Sequence, residues 1–455
     1  MRYKNTLHLK NENYLCGMLQ TLTYSPSENN THINLDSIRK LFNHACVFDS
    51  NLQTNTSKYL QSSRIIAVGA TQEFCADNSN DSLTQLQTFL TQKHNWFFGY
   101  LSYDLKNEIE KLNSKNEDGL NFPLIHFFVP EVVIQLGASA ILVIYNDEYT
   151  TKTKAEEIYN VCVGSTSANE ERELTKNEIN ILSRFTKAEY VNAVNRLKEH
   201  IRKGDIYEVN FCQEFYAEKT TINTVKVFEK LNAISKAPFS AYCKFNNRYA
   251  LCASPERFIR KKGNELLSQP IKGTIKRSAN QTEDEQLKIK LQTDTKERSE
   301  NIMIVDLVRN DLSRIAKAGT VKVNELMGIY TFKQVHQLIS TIECELKENI
   351  SFTDIIKSTF PMGSMTGAPK VSAMKLIDEY ESSKRGLYSG AIGYITPEGD
   401  FDFNVVIRSI LYNAENKYVS FTVGSAITDK SDANEEYEEC LLKAKAMFEV
   451  LQSQH

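Results

Sequence analysis

From residue 185 onward helical and strand-like blocks alternate, which restricts the chain to a fold in which helices cover antiparallel sheets. Thr186-Lys-Ala-Glu189 is a capping box. It opens a helix with Tyr190, Ala193, Val194, Leu197 and Ile201 on one face, ending near Gly204. Strand-like runs follow at 209–216, 239–245 and 249–253, and helices are expected over 295–315 and 369–380. Segments 390–396, 401–412 and 418–423 read as consecutive antiparallel strands, and 434–451 as a closing helix. The first 150 residues carry strand-like runs at 96–101 and 129–145 among polar loops. The expected organisation is an N-terminal part over 1–150, a charged, partly helical connection over 151–184 and a sharply patterned region over 185–455. The class is α+β.

Composition narrows the function. A formal charge of -3 offers no basic face for nucleic acid. The most apolar run, 132–145, is too short to span a bilayer, and residues 1–10 lack the apolar core of a signal peptide. Nine cysteines scattered without CxxC spacing fit neither a disulfide framework nor a zinc site. A cytoplasmic protein that binds neither nucleic acid nor membrane is expected.

Two Glu-x-x-Glu pairs, Glu297/Glu300 and Glu436/Glu439, carry the chemistry. Residues three apart share a helix face, so each pair can point at one spot. A single such pair usually marks a solvated helix face. Here the first runs directly into the apolar stretch 302–308, and the second follows the small residues Gly424-Ser425-Ala426, read as a turn. Four converging carboxylates would repel one another, and a hard divalent cation such as Mg²⁺ removes that conflict.

Residues 360–370 form a small-residue loop before a helix beginning near Pro369. The spacing leaves backbone N–H groups for an anion, with Ser364 and Thr366 as hydroxyl donors, although an ordinary turn has the same pattern. GxxxxGK[ST] is absent, so this is not a nucleotide-binding P-loop. Lys272, in Gln269-Pro-Ile-Lys-Gly-Thr274, is either an exposed strand-end lysine or a desolvated amine of lowered pKa and raised nucleophilicity. Arg408 ends an apolar strand and either faces solvent or forks onto a carboxylate. A lone histidine such as His336 is more often structural than catalytic.

At this point the motifs are recognisable. The run from Lys296 to Arg314, the loop 362–374, the run 386–410 and the segment 432–447 together resemble the chorismate-utilising enzymes, in the family's order and over roughly residues 185–450. The resemblance implies a layered α/β sandwich with two large antiparallel sheets, and a chorismate-binding catalytic region over 185–455. It also implies that Glu297, Glu300, Glu436 and Glu439 hold Mg²⁺, which grips the ring carboxylate. Ser364 matches a hydroxyl beside the substrate, and His336 the family histidine near the departing C4 hydroxyl. Tyr388 and Arg408 match the residues that hold the enolpyruvyl carboxylate, and Gly424, Ser425 and Ala426 line the same pocket.

The Pro-Ile-Lys-Gly-Thr form resembles the aminodeoxychorismate synthase branch, whereas anthranilate synthases typically carry alanine where Lys272 stands. In the family mechanism this lysine adds at C2 as the C4 hydroxyl leaves, and ammonia then enters at C4. The resemblance thus implies 4-amino-4-deoxychorismate as product, for 4-aminobenzoate and folate biosynthesis. Isochorismate and salicylate synthases place a general-base lysine where this chain has Glu208, whose own role stays open. The cysteines show no nucleophile elbow, so a separate glutamine amidotransferase subunit is the expected ammonia source. The alternatives are component I of anthranilate synthase and a non-catalytic relative that binds chorismate or tryptophan.

Overall fold

The computed structural model describes residues 19–27, 31–51, 64–77, 80–91, 94–164 and 179–452. The start of the chain and residues 165–178 of the charged connection therefore lie outside the described residues.

The strands form a 12-stranded and a 10-stranded sheet, and all their pairings are antiparallel. Both sheets mix early and late sequence. In the larger one, His44–Asp49 pairs with Phe239–Phe245; in the smaller, Phe97–Leu101 pairs with Ala391–Ile395.

Alternation along the strands explains the layering. In the larger sheet, Cys46, Ile65 and Ala67 face a core shared with Phe98, Tyr100 and Phe127 of the smaller sheet. Their neighbours Ala45, Val47, Ile66 and Val68 face a second core capped by helices such as Lys187–Lys203 and Ala433–Gln452. A sheet buried on both faces needs apolar residues at successive positions, hence the continuous apolar runs in the sequence. Helix Thr295–Ser313 feeds Ile304, Val305, Val308 and Leu312 into the inter-sheet core.

The expected α+β sandwich of two large antiparallel sheets is the observed fold. Helix Lys187–Lys203 has the complete Thr186/Glu189 capping box and ends at Gly204 in the left-handed region, φ 85°. Three expectations need correction. The run 129–145 is not one strand but the end of Ile125–Val129 plus a hairpin of Val132–Leu136 and Ile141–Asn146, turning at Gly137. The run 401–412 breaks into Phe401–Val405 and Ser409–Asn413, which belong to different sheets. Gly424, Ser425 and Ala426 are no turn: they lie in strand Tyr418–Ile427, paired with Cys212, Phe211 and Asn210.

A buried ion pair ties these parts together. Arg385 bonds both carboxylate oxygens of Glu381, at 2.6 and 2.9 Å, and also donates to the carbonyls of Met365 and Asn210. Glu381 accepts the Cys212 N–H in turn. Removing one partner strands the other in a dry interior, so Arg385→Met should cost about 3–5 kcal/mol. The measurement is the shift in denaturation midpoint; a midpoint unchanged from wild type would contradict this role.

Candidate active site

The strand Ile271–Lys276 lies at the edge of the smaller sheet, paired with Val335–Glu345. Its register breaks between Ile271 and Thr274, where Gly273 takes φ 94°. Helix Thr295–Ser313 packs against it, and Asn301 on that helix clamps it by donating Nδ2 to the Lys272 carbonyl at 2.9 Å. Asn301 Oδ1 accepts from Ser340 Oγ at 2.7 Å, which fixes the amide's orientation. The Lys272 backbone is therefore fixed through its carbonyl.

The Lys272 side chain is only 10% exposed, and its Nζ lies 2.7 Å from Glu208 Oε1. Glu208 begins strand Glu208–Ala217 of the larger sheet, so this ion pair joins the two sheets. Burial is the largest influence and acts to lower the lysine's pKa. Glu208, Glu300 and Glu256 together outweigh it and raise the pKa above its ordinary value. The expectation of a lowered pKa is thus corrected: the amine is desolvated, but the carboxylates around it hold its proton.

Glu256 is a residue the sequence reading missed. It is buried, and Ser364 donates Oγ to its Oε1 at 2.6 Å. Burial pushes its carboxyl up to about 7, opposed by the Ser364 hydrogen bond and by the charges of Lys272 and Arg408. Arg408 sits in the crossing between the sheets at φ 50°, and its guanidinium makes no hydrogen bond or ion pair with any described residue. Burial draws it below its ordinary value while Glu256 opposes this. A guanidinium with no protein partner can take an anion.

The expected glutamates come from both sides. Burial raises Glu300 to about 7, and burial followed by the Glu439 charge raises Glu297. Glu439 is held below its ordinary value: burial works the other way, and the Lys443 ion pair at 2.7 Å prevails. Lys296 Nζ bridges the two helices, 3.0 Å from Glu436 Oε1. Mutual charge effects among Lys272, Lys296 and the glutamates of both pairs place them in one electrostatic neighbourhood. Three buried carboxylate oxygens, Glu208 Oε2, Glu300 Oε1 and Glu436 Oε2, lack a hydrogen-bond partner. The four glutamates do not form a closed cage, however. Among the described residues no three of them bring one oxygen each within 4.8 Å of one another.

The small-residue loop is pinned to the same place. Gly367–Ala368 pairs with Glu208 and Val209, and a Cβ on Gly367 would lie 2.2 Å from the Glu208 carbonyl oxygen, so only glycine fits. Part of the loop's donor set is engaged within the loop itself. The N–H groups of Met365 and Thr366 and the Thr366 hydroxyl all bond within the loop. Only Ser364 turns outward, to Glu256.

The remaining candidates separate. Tyr388 is buried with its hydroxyl 3.7 Å from Cys212 Sγ, and burial raises its pKa well above the ordinary value. Ser425 points its hydroxyl toward Tyr190, at 3.5 Å, while the Gly424 carbonyl accepts from Lys443 at 3.0 Å. His336 is fully buried, with Nδ1 3.0 Å from Thr331 Oγ1 and Nε2 2.9 Å from Asp284 Oδ1. None of its hydrogen bonds or ion pairs involves Lys272, Ser364 or the glutamates. Its neighbour Gln337 points the other way by strand alternation, donates to Thr274 and leaves its own buried Oε1 unpaired. The one signal for Glu256 was Ser254-Pro-Glu-Arg257, where an acid follows a strand of small and apolar residues. A cavity lined by Phe48, Ser50, Ser240, Arg257 and Tyr394 contains none of these groups.

The Glu256 shift sets a pH dependence. Its folded-state pKa of about 7 lies above the free value of 4.5. Between those values the folded chain binds more protons than the unfolded one, so this group's contribution to stability falls as pH rises. Glu256→Gln should flatten that fall and stabilise the ion-free protein at pH 8 by on the order of 1–3 kcal/mol. Denaturation midpoints at pH 5 and pH 8 test this, and parallel profiles for the two proteins would refute it.

A family model described as chorismate binding enzyme matches residues 41–449. Aminodeoxychorismate synthase component 1 of Bacillus subtilis is 33% identical over 361 residues, covering 78% of this chain and 76% of that protein. A probable chloroplastic aminodeoxychorismate synthase of Oryza sativa subsp. japonica is 35% identical over 393 residues, 79% of this chain, which spans only 43% of the rice protein's length. Anthranilate synthase component I of Streptococcus pneumoniae superposes with a TM-score of 0.75 at 27% identity, covering 87% of this chain and 94% of that one. No helix of the described residues is long and apolar enough to cross a membrane. The lysine, the carboxylates facing it and the arginine left for an anion thus stand in a member of the chorismate-binding enzyme family, and the chain is an enzyme acting on chorismate.

Proposed function

We propose that this enzyme aminates chorismate at C4 to give 4-amino-4-deoxychorismate, using Mg²⁺ and ammonia from a glutamine amidotransferase subunit, on the route to 4-aminobenzoate and folate. The observation that carries this reading is the buried Lys272 amine, paired with Glu208 beside the glutamate cluster.

The residues present fit a hard cation. The donors are all carboxylate oxygens, and Glu300 and Glu436 each keep one buried oxygen unpaired. Glu297, Glu300, Glu436 and Glu439 would hold Mg²⁺, which when bound supplies positive charge toward the substrate's ring carboxylate. Arg408, with no protein partner, is suited to the enolpyruvyl carboxylate.

Nucleophilic attack needs a neutral amine, and Glu208 Oε1, 2.7 Å from Nζ, is placed to take the proton. The amine then adds at C2, the two ring double bonds shift toward C4, and the C4–O bond breaks. The departing hydroxyl needs a proton to leave as water. Glu256, raised to about 7 by burial, is half protonated near neutrality and is the acid best placed for this. His336, with both ring nitrogens engaged elsewhere, is better read as holding helix Gln281–Thr293 against its strand. Ammonia adding at C4 reverses the double-bond shift and expels the lysine.

The thiols support an external ammonia source. A glutaminase cysteine needs a depressed pKa, whereas burial pushes Cys212 up to about 12. The sheltered Lys272 and the unpaired glutamate oxygens count against a non-catalytic binding protein.

Mass spectrometry of the products from chorismate, Mg²⁺ and ammonium tests the reading. A 4-amino product is expected, falling about 100-fold or more in Lys272→Ala. Release of anthranilate with little dependence on Lys272 would instead establish the C2-aminating alternative. A chelator should abolish turnover and added Mg²⁺ restore it, and Glu436→Gln should raise the Mg²⁺ requirement about 10-fold or more. Full activity in the chelator would remove the metal from the account.

A further inference from the structure

Three side chains far apart in sequence converge at the packing edge of the two sheets. His44 begins strand His44–Asp49 of the larger sheet. Glu73 and His126 lie on the adjacent strands Gln72–Ala76 and Ile125–Val129 of the smaller one. Glu73 Oε2 is 2.9 Å from His44 Nε2 and 3.3 Å from His126 Nε2, and all three atoms lie within 4.8 Å of one another. This is the only such set of three histidine, cysteine or acidic groups among the described residues.

The geometry differs from that of a simple hydrogen-bonded triad. His44 Nε2 is buried and makes no aligned hydrogen bond, although Glu73 Oε2 is 2.9 Å away. His126 Nε2 does hydrogen-bond Glu73 Oε2, at 3.3 Å, so the buried His44 Nε2 is the group left free to ligate beside that carboxylate. Four ligands about 2.0–2.1 Å from a tetrahedral ion stand roughly 3.3 Å apart; the His126–Glu73 spacing is 3.3 Å, the His44–Glu73 spacing is shorter at 2.9 Å, and all three atoms lie within 4.8 Å of one another. Aromatic rings set the imidazole orientations: Phe128 lies 5.4 Å from the His44 ring and Phe245 lies 5.0 Å from the His126 ring.

The charges nearby do not fill the position. Lys244 directs its ammonium to the carbonyls of Arg39 and Phe42, and Arg248 donates to the Asn121 carbonyl. Cys75 is the register partner of His126 and shares the Glu73 face of its strand. Burial lowers both histidines, His126 to about 4, so neutral imidazoles face the acid. Glu73 is half exposed, which leaves the position open to solvent.

We propose that His44, Glu73 and His126 form a site for a borderline divalent cation such as Zn²⁺, with water in the fourth position, clipping the two sheets together. Imidazole nitrogens distinguish it from the all-oxygen glutamate cluster, whose chemistry favours Mg²⁺. Its effect is on stability, since none of its ligands contacts Lys272 or that residue's neighbours.

The test titrates Zn²⁺ into the metal-free full-length chain in saturating Mg²⁺, against a chromophoric chelator, and reads the ligand shell by X-ray absorption. One Zn²⁺ per chain with nitrogen ligands is expected, together with a rise in melting temperature. Glu73→Gln keeps the side-chain shape at a half-exposed position and should weaken Zn²⁺ at least 10-fold and remove the thermal gain. His126→Asn should do the same. Undiminished binding in Glu73→Gln, an all-oxygen shell, or no stoichiometric Zn²⁺ would each overturn the proposal.

Discussion

The buried pair between Lys272 and Glu208 is the constraint around which the site is organised. An ammonium and a carboxylate taken out of water are tolerable only when each closely satisfies the other. Here each comes from a different sheet, so the pair forms only when the sandwich is assembled. The same condition governs its neighbours. Glu256 and Glu300 are raised to about 7 because burial opposes their charge, and Lys272 offsets only part of that cost. The resting site thus carries more potential negative charge than its own lysines neutralise. Under the proposed function a cation would take up that excess charge, and Arg408 would take the anionic substrate.

The backbone supplies the precision. Asn301 grips the Lys272 carbonyl, Gly367 lets the loop approach the Glu208 carbonyl, and Arg385 ties that loop to strand Glu208–Ala217. These contacts link helix Thr295–Ser313, the small-residue loop and both sheets into one frame. An amine held this way would spend little entropy on reaching a target.

Much of this was legible in the residues. The Thr186/Glu189 box, the long helices and the glutamate pairs are local patterns with strong periodicity, and they appear where the sequence placed them. Lys272 was legible through its short apolar, glycine-containing motif. The misreadings share a physical origin: pairing between sheets is not a local property. Segment 401–412 looks like one strand because both halves are apolar, yet residues 406–408 carry the chain from one sheet to the other. Likewise the lysine's basicity depends on Glu208, 64 residues away, and on Glu256, which no periodicity marks. Local reading saw the burial of the amine and missed the carboxylates that reverse its effect.

The state of that amine is open to direct measurement. Competitive acylation of lysines across a pH series, with each peptide quantified by mass spectrometry, reports the proton affinity of Lys272 in the metal-free, substrate-free enzyme. The account predicts that Lys272 stays unreactive at pH values where exposed lysines react, and that Glu208→Gln makes it reactive at lower pH. A Lys272 already reactive near neutrality in the wild-type protein, and unchanged by Glu208→Gln, would contradict the ion pair at the centre of the site.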